Sequence, residues 1–551
     1  MPELEHADSV FANAKVVTLD SSDQIASAVA VKDGRIMGVG AEEEIRKLSD
    51  AATTWVDLHG KTVLPGLVDS HCHIGLASRS FIHYVDGRCP PNHCINDILE
   101  RIREKAKQTP KGQLISVHGS MFGDQKLVEK RFPTKEELDS VAPDHPVIML
   151  ASVHTIIANS YTVKLAEVTR DTHELSGGIH VEHDPDTGEP TGVFREGSPV
   201  GYIPLSYEQY KETIRSGIER YWIPQGITSA YSFTTDGSEL KAYQELLAEG
   251  SLPLRVKAMF CEFDNTLVAI DDLLYLGILP GFGTDRLSTG GVKIFVDGAF
   301  MTLSAASKEP YFNLPDPDHR GYLRITQERL DEYVKKSHDA GLTLCIHAMG
   351  DRAQEMALDA YEKALTANPR LHRHRIEHFG CDMGSPELRR RAKELGILPN
   401  ITSGWLYSYG DFIEPHLGPE RSRQSFALRS MIDDGLRPAD SSDQCGTDPM
   451  TLDPFHSMWC AVTRQTFFGS RFVPEEAIGV KDALRLWTIN GAYSGGEEDL
   501  KGSIETEKLA DMIVISDDIL TIAEDRIRDI KVDLTIVGGQ VVHERSVGNR
   551  S

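Results

Sequence analysis

No run in this chain of 551 residues approaches the ~20 consecutive apolar residues of a membrane-spanning helix, so no membrane association is expected. Cysteine is sparse: eight residues, scattered, with no C-x-x-C pair. A disulfide framework is therefore not expected, and a reducing cytoplasm fits better. Cys89 and Cys94 share a Pro-containing loop, RCPPNHC, but no second pair completes a tetrahedral metal set. Basic residues are also short, 58 Lys and Arg against 83 Asp and Glu, for a net charge of −25. That balance argues against nucleic-acid binding, which needs clustered Lys and Arg, and says little about a small-molecule substrate. The start, MPELEHADS, is acidic and polar rather than basic and then apolar, so no secretory signal is expected. Internal repeats and low-complexity tracts are absent. What remains, 40% hydrophobic and 26% charged residues, is ordinary for a soluble globular chain. The length allows more than one domain, or one large barrel with additions.

Both ends are rich in short strand signals. SVFANAKVVTLD and SAVAVKDGRIMGVG alternate around a turn at Asp33–Gly34, and DLTIVGGQVVHE near the far end turns at Gly538–Gly539. Residues 1–61 and 490–551 are expected to form one small β-sandwich built from both termini. Between them, residues 62–489 alternate apolar strands with amphipathic helices. GITSAYSF, PLRVKAMF, GGVKIFVDG, LTLCIH, HRIEHF and ILPNITSG are strand candidates, and DQCGTD (443–448) closes the series. Repeated strand-then-helix units predict an α/β fold, a (β/α)8 barrel of the TIM type. Residues 76–205 are too long for one such unit. They carry their own helix, strands and a hairpin turning at Asp-Pro-Asp-Thr-Gly, and read as an insertion after the first strand that covers the barrel mouth.

Chemistry-bearing residues fall at the strand ends, where barrel active sites are built. TVLPGLVDSHCHI (62–74) ends in His71 and His73, two imidazoles on one face of a strand, a natural grip for a divalent metal. With 21 histidines in the chain, about one His-x-His arises by chance, and His372 with His374 is a second. The first pair gains weight from polar residues at later strand ends: Lys293 in an otherwise apolar strand, His347 ending LTLCIH, His378 ending HRIEHF and Asp448 ending DQCGTD. Each has an ordinary reading too. A lone strand-end histidine is often structural, Lys293 could snorkel, and Asp448 could cap a helix.

That order resembles the amidohydrolase superfamily of metal-dependent hydrolases. PGLVDSHCH looks like its first-strand motif, and GVKIFVDGA, IHAMGDRA, RIEHFG, GTDP with LDPF, and the tail from TINGAYSGG to ADMIVI look like motifs of its family 3 branch. NSYTVKLA and DPDTGEPTGVFRE extend the likeness into the insertion. The branch includes N-substituted formamide deformylases. The resemblance implies hydrolysis of a C–N amide-type bond, in an N-formyl or N-acyl amine, by a hydroxide bridging two divalent metal ions, Zn first, with Mn, Co or Fe as alternatives. His71 and His73 would bind the deeper ion, and His347 and His378 the second. Lys293, carboxylated by CO2, would bridge them as a carbamate, and Asp448 would contact the first ion and act as general base. Only a neutral lysine amine reacts with CO2, and a buried strand position disfavours the charged form. Cyclic-amide, lactone or ester hydrolysis and deamination remain open within the superfamily, although a bridging lysine argues against a one-metal deaminase. A metal-free, non-catalytic barrel is the reading from another class. Related barrels often pair, which leaves a homodimer open.

The chain departs from the family in the insertion. Ser152–Val153–His154 stands where Asp-Gly-His is frequent, and Met121–Phe122–Gly123–Asp124 where Gly-Trp-Asp is. Both places are expected to face the substrate, with His154 bonding a substrate carbonyl and Trp405 lining the pocket. His372 and His374 are expected to be structural, and Glu196, ending the hairpin, to pair near Arg195. Cys72, Cys345, Cys381 and Cys445 are expected to be small packing residues rather than ligands.

Overall fold

The apolar run 62–74 divides at Gly66. A Cβ there would sit 2.2 Å from the Thr228 hydroxyl, so only glycine lets the chain pass. Before it, Thr62–Pro65 is a strand of an outer sheet; after it, Leu67–Cys72 opens a parallel eight-stranded sheet. The structure is a computed structural model that describes residues 6–152, 154–176, 178–234, 236–261, 268–445 and 449–546.

The eight-stranded sheet runs in chain order: β1 Leu67–Cys72, β2 Ile227–Thr234, β3 Arg255–Cys261, β4 Leu287–Phe295, β5 Leu344–His347, β6 Arg375–Glu377, β7 Leu398–Ile401 and β8 Ala439–Asp440. Asp443 N–H donates to His71 O (2.8 Å) and His73 N–H to Gln444 O (3.0 Å), which draws the last strand back to the first. The result is a TIM-type α/β barrel. Its strands are buried on both faces, so they read as continuous apolar runs. The helices read by periodicity. Gln327–Ala340 buries Leu330, Tyr333 and Val334 on one side, is capped by the Thr326 hydroxyl, and ends at Gly341 with φ 87°.

The last strand differs from expectation. It is Ala439–Asp440, not 443–448, and pairs with β7 only at Asn400↔Ala439 and Ile401↔Asp440. Asp440 then spends its carboxylate on the Ser403 and Ser441 amides, and Asp443 turns left-handed at φ 41°. The polar sequence ADSSDQ is buried but carries no apolar signal.

Between β1 and β2 in the chain lies a seven-stranded mixed sheet. Val85–Asp86, Ile115–His118 and Val147–Ser152 are parallel, and the hairpin Ile179–His183 with Pro190–Arg195 is antiparallel. It has its own core, including Ile98, Ile102, Val117, Leu138 and Met149. The terminal segments form two more sheets, of six and four strands. They share a core of Phe11, Val29, Val63, Met512 and Ile536. Among the described residues no helix is long and apolar enough to cross a membrane.

Candidate metal centre

Strand ends bring the imidazoles together. His71 and His73 close β1, His347 ends β5, and His378 follows β6 with φ 66°, in the left-handed region that is uncommon for non-glycine residues. Ring centroids are 5.4 Å apart for His71–His73, 5.1 Å for His71–His378 and 4.9 Å for His347–His378. Lys293, on β4, sits among them. Its Nζ donates to His71 Nε2 at 2.9 Å and lies 5.0 and 4.8 Å from the Phe233 and Phe295 rings.

Asp448 lies outside the described residues. Asp443, five positions earlier, is the carboxylate that meets the pair: its Oδ1 is 3.2 Å from His71 Nε2 and 3.7 Å from His73 Nε2. Among the described residues, His71, His73 and Asp443 form a group whose donor atoms all lie within 4.8 Å of one another. Burial pushes the Asp443 carboxyl up to about 7, against the pull of Lys293.

The ring nitrogens are already sorted. His71 Nδ1 donates to Glu377 Oε2 (2.6 Å), His73 Nδ1 to Phe233 O (3.2 Å) and His347 Nε2 to Gly298 O (2.9 Å). This puts a lone pair on the other nitrogen of each ring, and His347 Nδ1 is buried with no hydrogen-bond partner. Burial, then Lys293, holds His73 down to about 3, and burial holds His71, His347 and His378 well below the usual histidine range. Neutral imidazoles with one N–H tied to an acceptor are what a metal site requires. The donor set therefore fits divalent ions.

Glu377 is the support that sequence reasoning missed. It also accepts Arg375 Nε–H (2.5 Å) and an Asn400 amide N–H (2.7 Å), and Asn400 Oδ1 takes the Ser70 hydroxyl (2.9 Å). The only local signal was strand alternation in RIEHFG, which puts Arg375 and Glu377 on one face. Replacing Glu377 by Gln removes an acceptor and forces an N–H either against Arg375 or against both His71 and Asn400. Metal affinity, read by chelator competition, should fall about 10- to 100-fold.

The cluster opens into a cavity whose wall includes Leu76, Met121, Phe295, Met301, Met349 and Trp405. Trp405 stacks on His378 (5.0 Å, 25°). His154, from the seven-stranded sheet, also lines the cavity, with its ring 6.2 Å from that of His347. The partner of Glu196 is His154, whose Nδ1 it meets at 2.7 Å next to Thr155, the residue opposite Arg195, and Arg195 itself pairs with Glu182. His372 and His374 lie apart from the cluster. His374 Nδ1 accepts the Leu344 amide and its Nε2 meets His338, and His372 bonds Leu395 O. Cys72 and Cys345 are buried, the first with its thiol turned to Tyr231 O.

Behind Trp405, Tyr409 donates to Asp382 Oδ1 (2.6 Å), and Asp382 Oδ2 is buried without a partner. Burial raises this carboxyl from 3.8 to about 8, against the Tyr409 bond. The folded state then holds the proton more tightly than the unfolded chain, so this contribution to stability is full below about pH 4 and is lost as pH rises through about 8. Asp382→Asn keeps the acceptor for Tyr409 and removes the titration. By calorimetry the variant should melt with wild type at about pH 4 and on the order of 2 °C above it at pH 8.5.

The amidohydrolase family model matches residues 54–543. The N-substituted formamide deformylase of Arthrobacter pascens is 30% identical over 98% of this chain and 99% of its own. An uncharacterized metal-dependent hydrolase from Pyrococcus furiosus superposes with a TM-score of 0.71 at 26% identity, covering 93% of this chain and 100% of that one. A second, from Pyrococcus horikoshii, gives 0.74 at 24% identity over 94% and 99%. With its parallel barrel and its histidines gathered at the strand ends, the chain belongs to the amidohydrolase family.

Proposed function

We propose that the protein is a metal-dependent hydrolase that cleaves the C–N bond of an N-formyl or N-acyl amine. The observation that carries this reading is the cluster of His71, His73, Lys293, His347, His378 and Asp443, all but His71 lining one cavity, with the ring N–H groups of His71, His73 and His347 tied to acceptors. The name of the Arthrobacter relative favours a formyl or acyl amine. His71, His73 and Asp443 would hold one divalent ion and His347 with His378 a second. Lys293 would stand between them as a carbamate. Nitrogen and carboxylate donors suit Zn, Mn, Co or Fe. Ions bound there would polarise the scissile carbonyl and acidify water.

The chain's own groups do the rest. Asp443, rather than Asp448, takes the proton from the attacking water and hands it to the leaving amine. Glu377 locks the His71 tautomer. Leu76, Met121, Phe295, Met301, Met349 and Trp405 exclude bulk water and favour an uncharged, apolar substituent on the amine. Residues 76–205 act as a cover, since Leu76, Met121, Ser152 and His154 all come from that segment.

The test is purified protein supplied with Zn, Mn or Co plus bicarbonate, assayed on N-formyl amines, N-acyl amines, esters and lactones. Metal content is measured on the same sample. Amine release with about two ions per chain is expected. A chain that binds no metal stoichiometrically and turns over nothing in any arm would defeat the reading.

A further inference from the structure

His154 is held like the histidine of a carboxylate-backed dyad. Glu196 Oε2 meets its Nδ1 at 2.7 Å, and the Glu196 amide donates to His154 O at 3.0 Å. The other carboxylate oxygen accepts the Ser304 and Thr302 hydroxyls at 2.5 and 3.3 Å. Glu196 adopts φ 65° to reach this position, a cost that surrounding structure must support. The His154 ring and the Ser304 hydroxyl both face Glu196 oxygens, as an ionised carboxylate requires. An ionised carboxylate only accepts, so Nδ1 carries the proton. Among the described residues no protein group bonds Nε2, and the ring lines the cavity.

In the neutral ring Nε2 is an acceptor. That is the opposite polarity to the bond with a substrate carbonyl oxygen that the sequence suggests, since the carbonyl also only accepts. Nε2 needs a donor, and in an N-acyl amine the donor beside the carbonyl is the amide N–H. We propose that His154 Nε2 accepts the substrate's amide N–H, with Glu196 as its positioning residue, so that the site selects N-monosubstituted amides over esters and N,N-disubstituted amides. The inference rests on the amide-hydrolase reading, and narrows it. A buried acceptor facing an ester oxygen would be left unpaired, which disfavours that ligand.

The experiment compares N-phenethylacetamide with its ester isostere, phenethyl acetate. Binding to the metal-loaded protein is read by stopped-flow quenching of tryptophan fluorescence, before turnover. Wild type should bind the amide about 10- to 100-fold tighter, the size of one such hydrogen bond. His154→Ala and Glu196→Ala should bring the ratio near one, with amide binding weakened and ester binding no weaker than in wild type. Glu196→Gln, whose amide oxygen still accepts from Nδ1, should keep most of the preference. If His154→Ala does not fold, as judged by near-ultraviolet circular dichroism, His154→Phe removes the acceptor while filling the space. A wild-type ratio near one, binding of neither compound, or a ratio unchanged in the variants would overturn the proposal. Turnover of the amide is scored separately. Its absence with the binding ratio intact would count against the hydrolase reading and leave this one standing.

Discussion

Asp443→Asn is expected to lower kcat by about 10²- to 10⁴-fold, the span that a positioned acid–base group contributes, with little change in KM. The asparagine keeps the volume and one oxygen to face the imidazoles 3.2 and 3.7 Å away, so the site stays filled. It cannot shuttle a proton. Asp443 is placed for this by two backbone bonds that tie residues 443 and 444 to His71 and His73, which lets one carboxylate see both rings. Asp448→Asn is the matched control and should remain within a few-fold of wild type. Steady-state kinetics on one N-acyl amine decides between them. Loss at 448 with retention at 443 would return the role to the later residue.

Lys293→Ala should be of similar size. Its Nζ bonds His71 Nε2 and lies between two aromatic rings, in the middle of the cluster. Removing it takes away the proposed bridge. Metal stoichiometry should fall from about two per chain to about one or less. An ion contributes several kcal/mol of transition-state stabilisation, so turnover should fall on the order of 10³-fold. Acetate diffusing into the vacated space should restore part of the activity, since it supplies the missing carboxylate. Near-wild-type turnover in the alanine variant would exclude the two-ion centre.

The barrel was legible because its strands are buried on both sides. LCIH and GGVKIFV stand out as apolar runs with one imidazole or charged side chain each, and those are His347 and Lys293. The eighth strand was misplaced because Ala439–Asp440 is two residues long and lies in a polar stretch whose burial depends on Ser403 and Asp69 accepting or donating across the fold. The same stretch holds two aspartates five apart, and spacing does not single out Asp443, which turns at φ 41° beside the histidine pair. Glu196 and His154 are 42 residues apart and meet only through strand pairing, Thr155 opposite Arg195. Glu377 lay in plain view beside His378, but a carboxylate next to a ligand carries no mark of which ring it serves.

The break at Gly66 has a mechanical consequence. The strand that carries His71 and His73 is the direct continuation of Thr62–Pro65, which is zipped to Met512–Ile515 near the far end of the chain. The Gly66 amide itself bonds Asp511 O, and the next amide bonds Gly226 O. The outer sheet and the first barrel strand therefore open as one cooperative unit. An ion held by the histidine pair would lend its binding free energy to a sheet it never touches, and protection of that sheet's amides from solvent exchange becomes a distant gauge of whether the metal is in place.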